Sequence, residues 1–117
     1  MWRVEFAAAA HRDLELLFDH LAETYRGFGE APEEAFDHAA RRIRSIVASA
    51  DRLALAPHRG PIHEDLAPGL RHVTLDRAIY YFQIEGAREE GRVRILAVFF
   101  GTQDHQRRMR LRILSDR

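Results

Sequence analysis

Two arginines and two tyrosines fall within one short stretch, Arg71-His72-Val73-Thr74-Leu75-Asp76-Arg77-Ala78-Ile79-Tyr80-Tyr81. A guanidinium group presents a planar fork of donors that matches a phosphate or a carboxylate. Period-two alternation sets Tyr80, Phe82 and Ile84 on one strand face and Ile79, Tyr81 and Gln83 on the other. One tyrosine is then expected toward the core and the other in a groove. The same stretch also reads as a plain sheet hairpin with solvated arginines and amphipathic tyrosines. A second grouping, His58, His63, Glu64 and Asp65, carries zinc-type ligands on one loop. Its spacing fits no closed tetrahedral pattern, so a polar surface loop is expected, with no metal. Ser45 and Ser49 fall inside a helical pattern, a poor place for a nucleophile. There is no Walker loop, Rossmann glycine fingerprint, G-x-S-x-G elbow or HExxH motif. No cofactor is expected.

The elements that must position these residues follow from periodicity. Trp2 to Phe6 reads as a short strand. From Ala8 to about Arg26 the pattern is helical, with Leu14, Leu17, Phe18, Leu21 and Tyr25 on one stripe. Gly27-Phe28-Gly29 ends that helix, and Pro32 with Glu33 and Glu34 opens the next. The second helix carries Phe36, Ala39, Ala40, Ile43, Val47 and Ala50 on its apolar stripe. The two helices read as an antiparallel hairpin. Prolines and glycines punctuate a loop from about Ala56 to Gly69. Strands are expected at Leu70–Leu75 and Ala78–Glu85, with a tight turn at Asp76-Arg77. Val93 to Phe100 is almost continuously apolar, the pattern of a strand buried on both faces. Gln103 to Leu114 is arginine-rich and helical. The order β-α-α-β-β-β-α describes an α+β domain, a helical hairpin packed on an antiparallel sheet. Ile79, Leu96, Val98 and Phe100 are expected as surplus apolar residues on an open sheet face.

Length and charge set the bounds. The chain has 117 residues, the size of a single domain, and no repeat or linker divides it. Apolar residues make up 46% and charged residues 31%, an ordinary soluble balance. There is no membrane-length apolar run, no signal-peptide pattern and no cysteine, and a cytoplasmic protein is expected. All 18 basic residues are arginine, which removes lysine Schiff-base and general-base chemistry. Net charge is +0, but it is unevenly placed. Glu5 to Asp37 holds nine acids against Arg12 and Arg26, while Arg107, Arg108, Arg110, Arg112 and Arg117 crowd the C-terminus. On a helix Arg107 and Arg110 share a face, as do Arg108 and Arg112. Acids must relieve their repulsion, either from the first helix or from a partner. This pattern favours one local anionic contact over a broad nucleic-acid surface.

Five segments in order resemble the RelE/ParE superfamily, the toxins of bacterial type II toxin–antitoxin pairs. Val4-Glu5-Phe6-Ala7 with Asp13-Leu14 is similar to the family's first strand and helix. Leu55-Ala56-Pro57-His58-Arg59-Gly60 resembles the end of its second helix. Asp65-Leu66-Ala67-Pro68-Gly69-Leu70-Arg71 and Arg77-Ala78-Ile79-Tyr80-Tyr81 are similar to its hairpin elements. Val93-Arg94-Ile95-Leu96 and Gly101-Thr102-Gln103-Asp104 are similar to its last strand and following turn. The resemblance covers nearly the whole chain.

It implies two functions on one fold. A ParE-like member poisons DNA gyrase by binding and is no enzyme. A RelE-like or YoeB-like member is an endoribonuclease that cuts mRNA on the ribosome. For the ribonuclease, the resemblance points to Glu64, Arg71, Arg77 and His105, although no tyrosine follows the last strand. Thr102 or Gln103 stands where that reading expects an arginine. For the ParE-like reading no catalytic residue is expected. Candidate partner contacts are then Arg71, Arg77, Tyr81, Phe100, Asp104, Arg108 and Arg112. Phe100 replaces the histidine usual in ParE-like chains, which implies an altered target or reduced toxicity. The Asp65 to Arg71 element and the neutral charge lean toward ParE. The resemblance also implies a cognate antitoxin from the same operon, bound in a hetero-oligomer. A third reading is a degenerate, non-toxic member that only binds its antitoxin.

Overall fold

A computed structural model describes residues 2–87, 90–101 and 104–115. The chain runs through β1 (Arg3–Phe6), α1 (Ala8–Gly27), α2 (Pro32–Ala50), a 3₁₀ turn (Asp51–Leu55), β2 (Arg71–Leu75), β3 (Ala78–Glu85), β4 (Arg92–Phe100) and α3 (His105–Ser115). This is the expected α+β order. The strands form one sheet in the order β1-β4-β3-β2. The sheet is mixed where an antiparallel one was expected. β1 runs parallel to β4: the helical hairpin returns the chain so that β2 starts in the direction of β1, and the β2–β3 and β3–β4 reversals restore that direction in β4.

Local chemistry sets the turns. Gly29, at φ 102°, reverses the chain between the two helices. Pro32 opens α2 with Glu33 and Glu34 in its first turn. The face of α2 that packs inward is Ala35, Ala39, Ile46 and Ala50. Phe36 and Val47, expected on that stripe, are exposed. Alanines let the two helices approach closely, and Phe36 instead meets Phe18 edge to face at the rim, ring centroids 4.9 Å apart. The β2–β3 turn has two residues, Asp76 at φ 50° and Arg77 at φ 72°. Two left-handed residues give the turn whose twist matches a hairpin.

The sheet has two covered faces. Tyr80, Phe82, Val93, Ile95 and Val98 pack under the helical hairpin. Ile79, Tyr81, Ala97 and Phe99 pack under α3, whose Met109 is buried among them. The pairing Phe82↔Ile95 is followed by Tyr81↔Ala97, which leaves Leu96 as an extra residue in β4. This bulge reverses the alternation of β4. Ile79 and Leu96 therefore lie on the α3 side, and Val98 and Phe100 on the helical-hairpin side. The open apolar face expected from these four residues does not form. Both tyrosines of the Tyr80-Tyr81 pair are fully buried, on opposite faces, where only one was expected in the core. The Tyr80 hydroxyl donates to the Ile46 carbonyl at 2.6 Å.

Asp13 of α1 ties these layers together. Its carboxylate accepts two bonds from Arg112, at 2.8 and 2.5 Å, and one from the Val98 N–H at 2.9 Å. Arg112→Met should cost about 2 kcal/mol, the buried-pair figure discounted for the exposure that Arg112 retains. Urea denaturation measures it, and Arg107→Met serves as the near-neutral control.

Candidate functional site

The 56–70 loop, β2, β3 and the start of α3 converge on one cluster of rings. The loop is anchored by backbone bonds, His63 N–H to the Leu70 carbonyl at 2.7 Å and Leu66 N–H to the His63 carbonyl at 3.0 Å. Gly60, at φ 88°, crosses β2 so closely that a Cβ would sit 2.3 Å from the His72 carbonyl oxygen. Only glycine fits there. The Arg71 guanidinium donates to the His58 and Gly60 carbonyls, at 2.6 and 3.2 Å, and clamps the loop over the strand.

Within this frame His63 Nε2 lies 2.6 Å from His72 Nδ1. The Tyr81 hydroxyl lies 2.8 Å from His105 Nδ1. The His72 ring stands 5.2 Å from Tyr81 and 5.0 Å from His105, centroid to centroid, which joins the two pairs. Burial, and then the neighbouring His63 and His105, push His72 down from 6.5 to about 4. Burial first, then His63, also lowers His105. Burial raises Tyr81 to about 12. At neutral pH the His72 and His105 rings are therefore uncharged, and Tyr81 keeps its proton and donates it. Such a set can hold and pass protons. It contains no guanidinium that could hold a phosphate.

The residues named from the sequence fall in several places. Arg71 serves the loop. Arg77 stands at the far end of the hairpin, roughly 15 Å along the strand from Arg71. The expected cluster of guanidinium forks does not assemble. Arg77 and Arg42 instead flank the Phe100 ring, at 5.9 and 4.9 Å. Glu64 is exposed and accepts the Gly69 N–H at 3.1 Å. Asp104, at φ 62°, stands just before α3, and its carbonyl accepts the Arg108 N–H. Arg108 is exposed and lies over Phe99 at 4.9 Å. Arg112 shares that side, as its spacing implied, but points inward to Asp13. It is not an exposed contact. The first helix thus supplies the acid for Arg112, and Asp65 stands 3.5 Å from Arg110. His105 joins the Tyr81 cluster and is not a free helix-surface histidine. Thr102 and Gln103 lie outside the described residues. Among the described residues no group of three or more acidic or histidine side chains is arranged to hold a metal ion. No helix among them is long and apolar enough to cross a membrane.

Sequence reasoning placed His63 in a surface loop and His72 in the hairpin, and missed their convergence with Tyr81. One signal was available. A two-residue turn at Asp76-Arg77 pairs Leu75 with Ala78, and counting outward pairs His72 with Tyr81.

No family model matches this chain, and no curated protein matches it in sequence. A solved structure does match, a chain of the "Chromosomal ParDE TA system from P. aeruginosa". The TM-score is 0.65 with 19% identity, over 87% of this chain and 98% of that one. The architecture is the RelE/ParE-like fold.

Tyr81→Phe removes the hydroxyl and leaves the ring. It should lower stability by about 1 kcal/mol. The His105 ring proton signals should shift in NMR spectra, while those of His38, paired with Glu30 at the other side of the molecule, stay fixed.

Proposed function

We propose that this chain is the toxin of a type II toxin–antitoxin pair, ParE-like, acting in the cytoplasm by binding DNA gyrase. A cognate antitoxin encoded beside it neutralises it in a hetero-oligomer. One observation carries this reading: the fold matches a ParDE chain over nearly that chain's whole length. The glutamate and the two arginines named for the ribonuclease reading are turned to other roles. Arg71 holds loop carbonyls, Arg77 sits at the opposite end of the hairpin, and Glu64 braces Gly69. No two of them converge to hold a phosphate and activate a ribose hydroxyl. The neutral net charge also suits a protein target better than a ribosome.

A second reading rests on the ring cluster. His63, His72, Tyr81 and His105 are general acid–base groups in mutual contact, the chemistry an mRNA endoribonuclease requires. A phosphate-binding cation would then come from Arg108 or from the ribosomal complex.

Two measurements separate them. Purified chain should inhibit DNA supercoiling by gyrase, with no codon-linked mRNA cuts by primer extension after induction. Codon-linked cleavage that His105→Gln abolishes would reverse the choice. Co-expression with each neighbouring small open reading frame should yield one stable complex. Failure of both to co-purify removes the antitoxin from the proposal.

A further inference from the structure

The ring cluster has a property that holds whatever the target is. His63 Nε2 and His72 Nδ1 stand 2.6 Å apart, a distance that needs one donor and one acceptor. The pair accommodates a single proton between those atoms. Protonating both rings places two N–H groups and two charges against each other, with His105 as a third ring at 5.0 Å from His72. We propose that His63, His72, Tyr81 and His105 form an acid-sensitive latch, which fastens the 61–70 segment and the first turn of α3 to the sheet at neutral pH and releases them in acid.

Among the described residues the charged side chains around the cluster are engaged elsewhere or exposed. From the loop, Glu64 is turned to the Gly69 N–H and Asp65 faces Arg110. From β2, Arg71 is turned to the His58 and Gly60 carbonyls. From β3 come Tyr81 and the neutral Gln83, which donates to the Pro68 carbonyl at 2.8 Å. β4 contributes Phe99. On α3, Asp104 is exposed and Arg108 lies over Phe99. Among the described residues no ion pair joins a carboxylate to His63, His72 or His105.

The sign follows from linkage. His72 is held below its ordinary 6.5, at about 4. The released state therefore takes up a proton first as pH falls, and closure weakens from 6.5 down to about 4. Above 6.5 the closed state is favoured in full. The release is local for a structural reason. Met109, buried in the second core, and Arg112, bonded to Asp13, hold the rest of α3. The helical hairpin packs on the opposite face and takes no part.

Hydrogen exchange of the full chain at pH 7.5 and pH 5.0, corrected for intrinsic exchange, tests this. Protection should fall about tenfold in segments 61–72 and 104–108, a value discounted because the His72 ring stays partly open to solvent. Protection in 10–25 and 35–50 should hold. In His72→Gln or His63→Gln the drop should vanish. Equal loss across the chain, no loss, or an undiminished drop in the variants overturns the latch. If neither variant folds, imidazole NMR titration of the parent chain decides. A His72 midpoint well below 6.5 supports the latch, and an ordinary midpoint overturns it.

Discussion

The carboxylate of Asp13 meets a guanidinium from α3 and a backbone N–H from β4, and the relation of the layers depends on that meeting. α1 lies on one face of the sheet and α3 on the other. An ion pair across the strand fixes both at once, and the two-pronged geometry sets their rotation as well as their distance. Burial of the acid makes the pairing obligatory, because an unpaired carboxylate there would carry a large desolvation penalty. Phe99 lies beneath Arg108 and Arg112, so the same arginine face also covers apolar surface through its planar cations. The basic C-terminal helix is thus partly an internal counterweight to the acidic first helix.

Much of this was legible beforehand. Alternation over Ala78–Glu85 gave β3 with its bounds, and the tight turn expected at Asp76-Arg77 is the one observed. Gly-containing breaks gave the helix limits within a few residues. What escaped did so for physical reasons. The run from Ile95 to Phe100 is apolar at every position, so a one-residue slip leaves no mismatch in the pattern, and the bulge at Leu96 has no sequence signature. Asp13 is 85 residues from Val98 and 99 from Arg112, beyond any local periodicity. The stripe of α2 turned because the close approach of α1 selects alanine over phenylalanine, a consequence of packing distance that hydropathy does not encode.

The candidate site was legible in its parts and not in its assembly. Tyr81, Arg71, Glu64 and His105 were all named, yet their roles are divided between bracing a loop and building a ring cluster. Arg71 illustrates the division. A guanidinium at the start of β2 is suited to phosphate, but two loop carbonyls stand within its reach and take the same proton donors. The fold leaves Arg77 and Arg108 as cations without an acidic side chain in ion-pair contact among the described residues, on surface that a partner can reach.

β1 ends at Phe6, opposite Ile95, while β4 continues to Phe100. Among the described residues no strand lies beside the outer margin of β4 beyond that point. An unshielded margin of this kind invites another chain to add itself by backbone pairing. Here the Leu96 carbonyl receives Arg112 and the Val98 N–H is taken by Asp13. The ion pair that joins the layers therefore also blocks the place where a stray strand would begin to zip. A chain that lost it would be exposed to self-association as well as to unfolding.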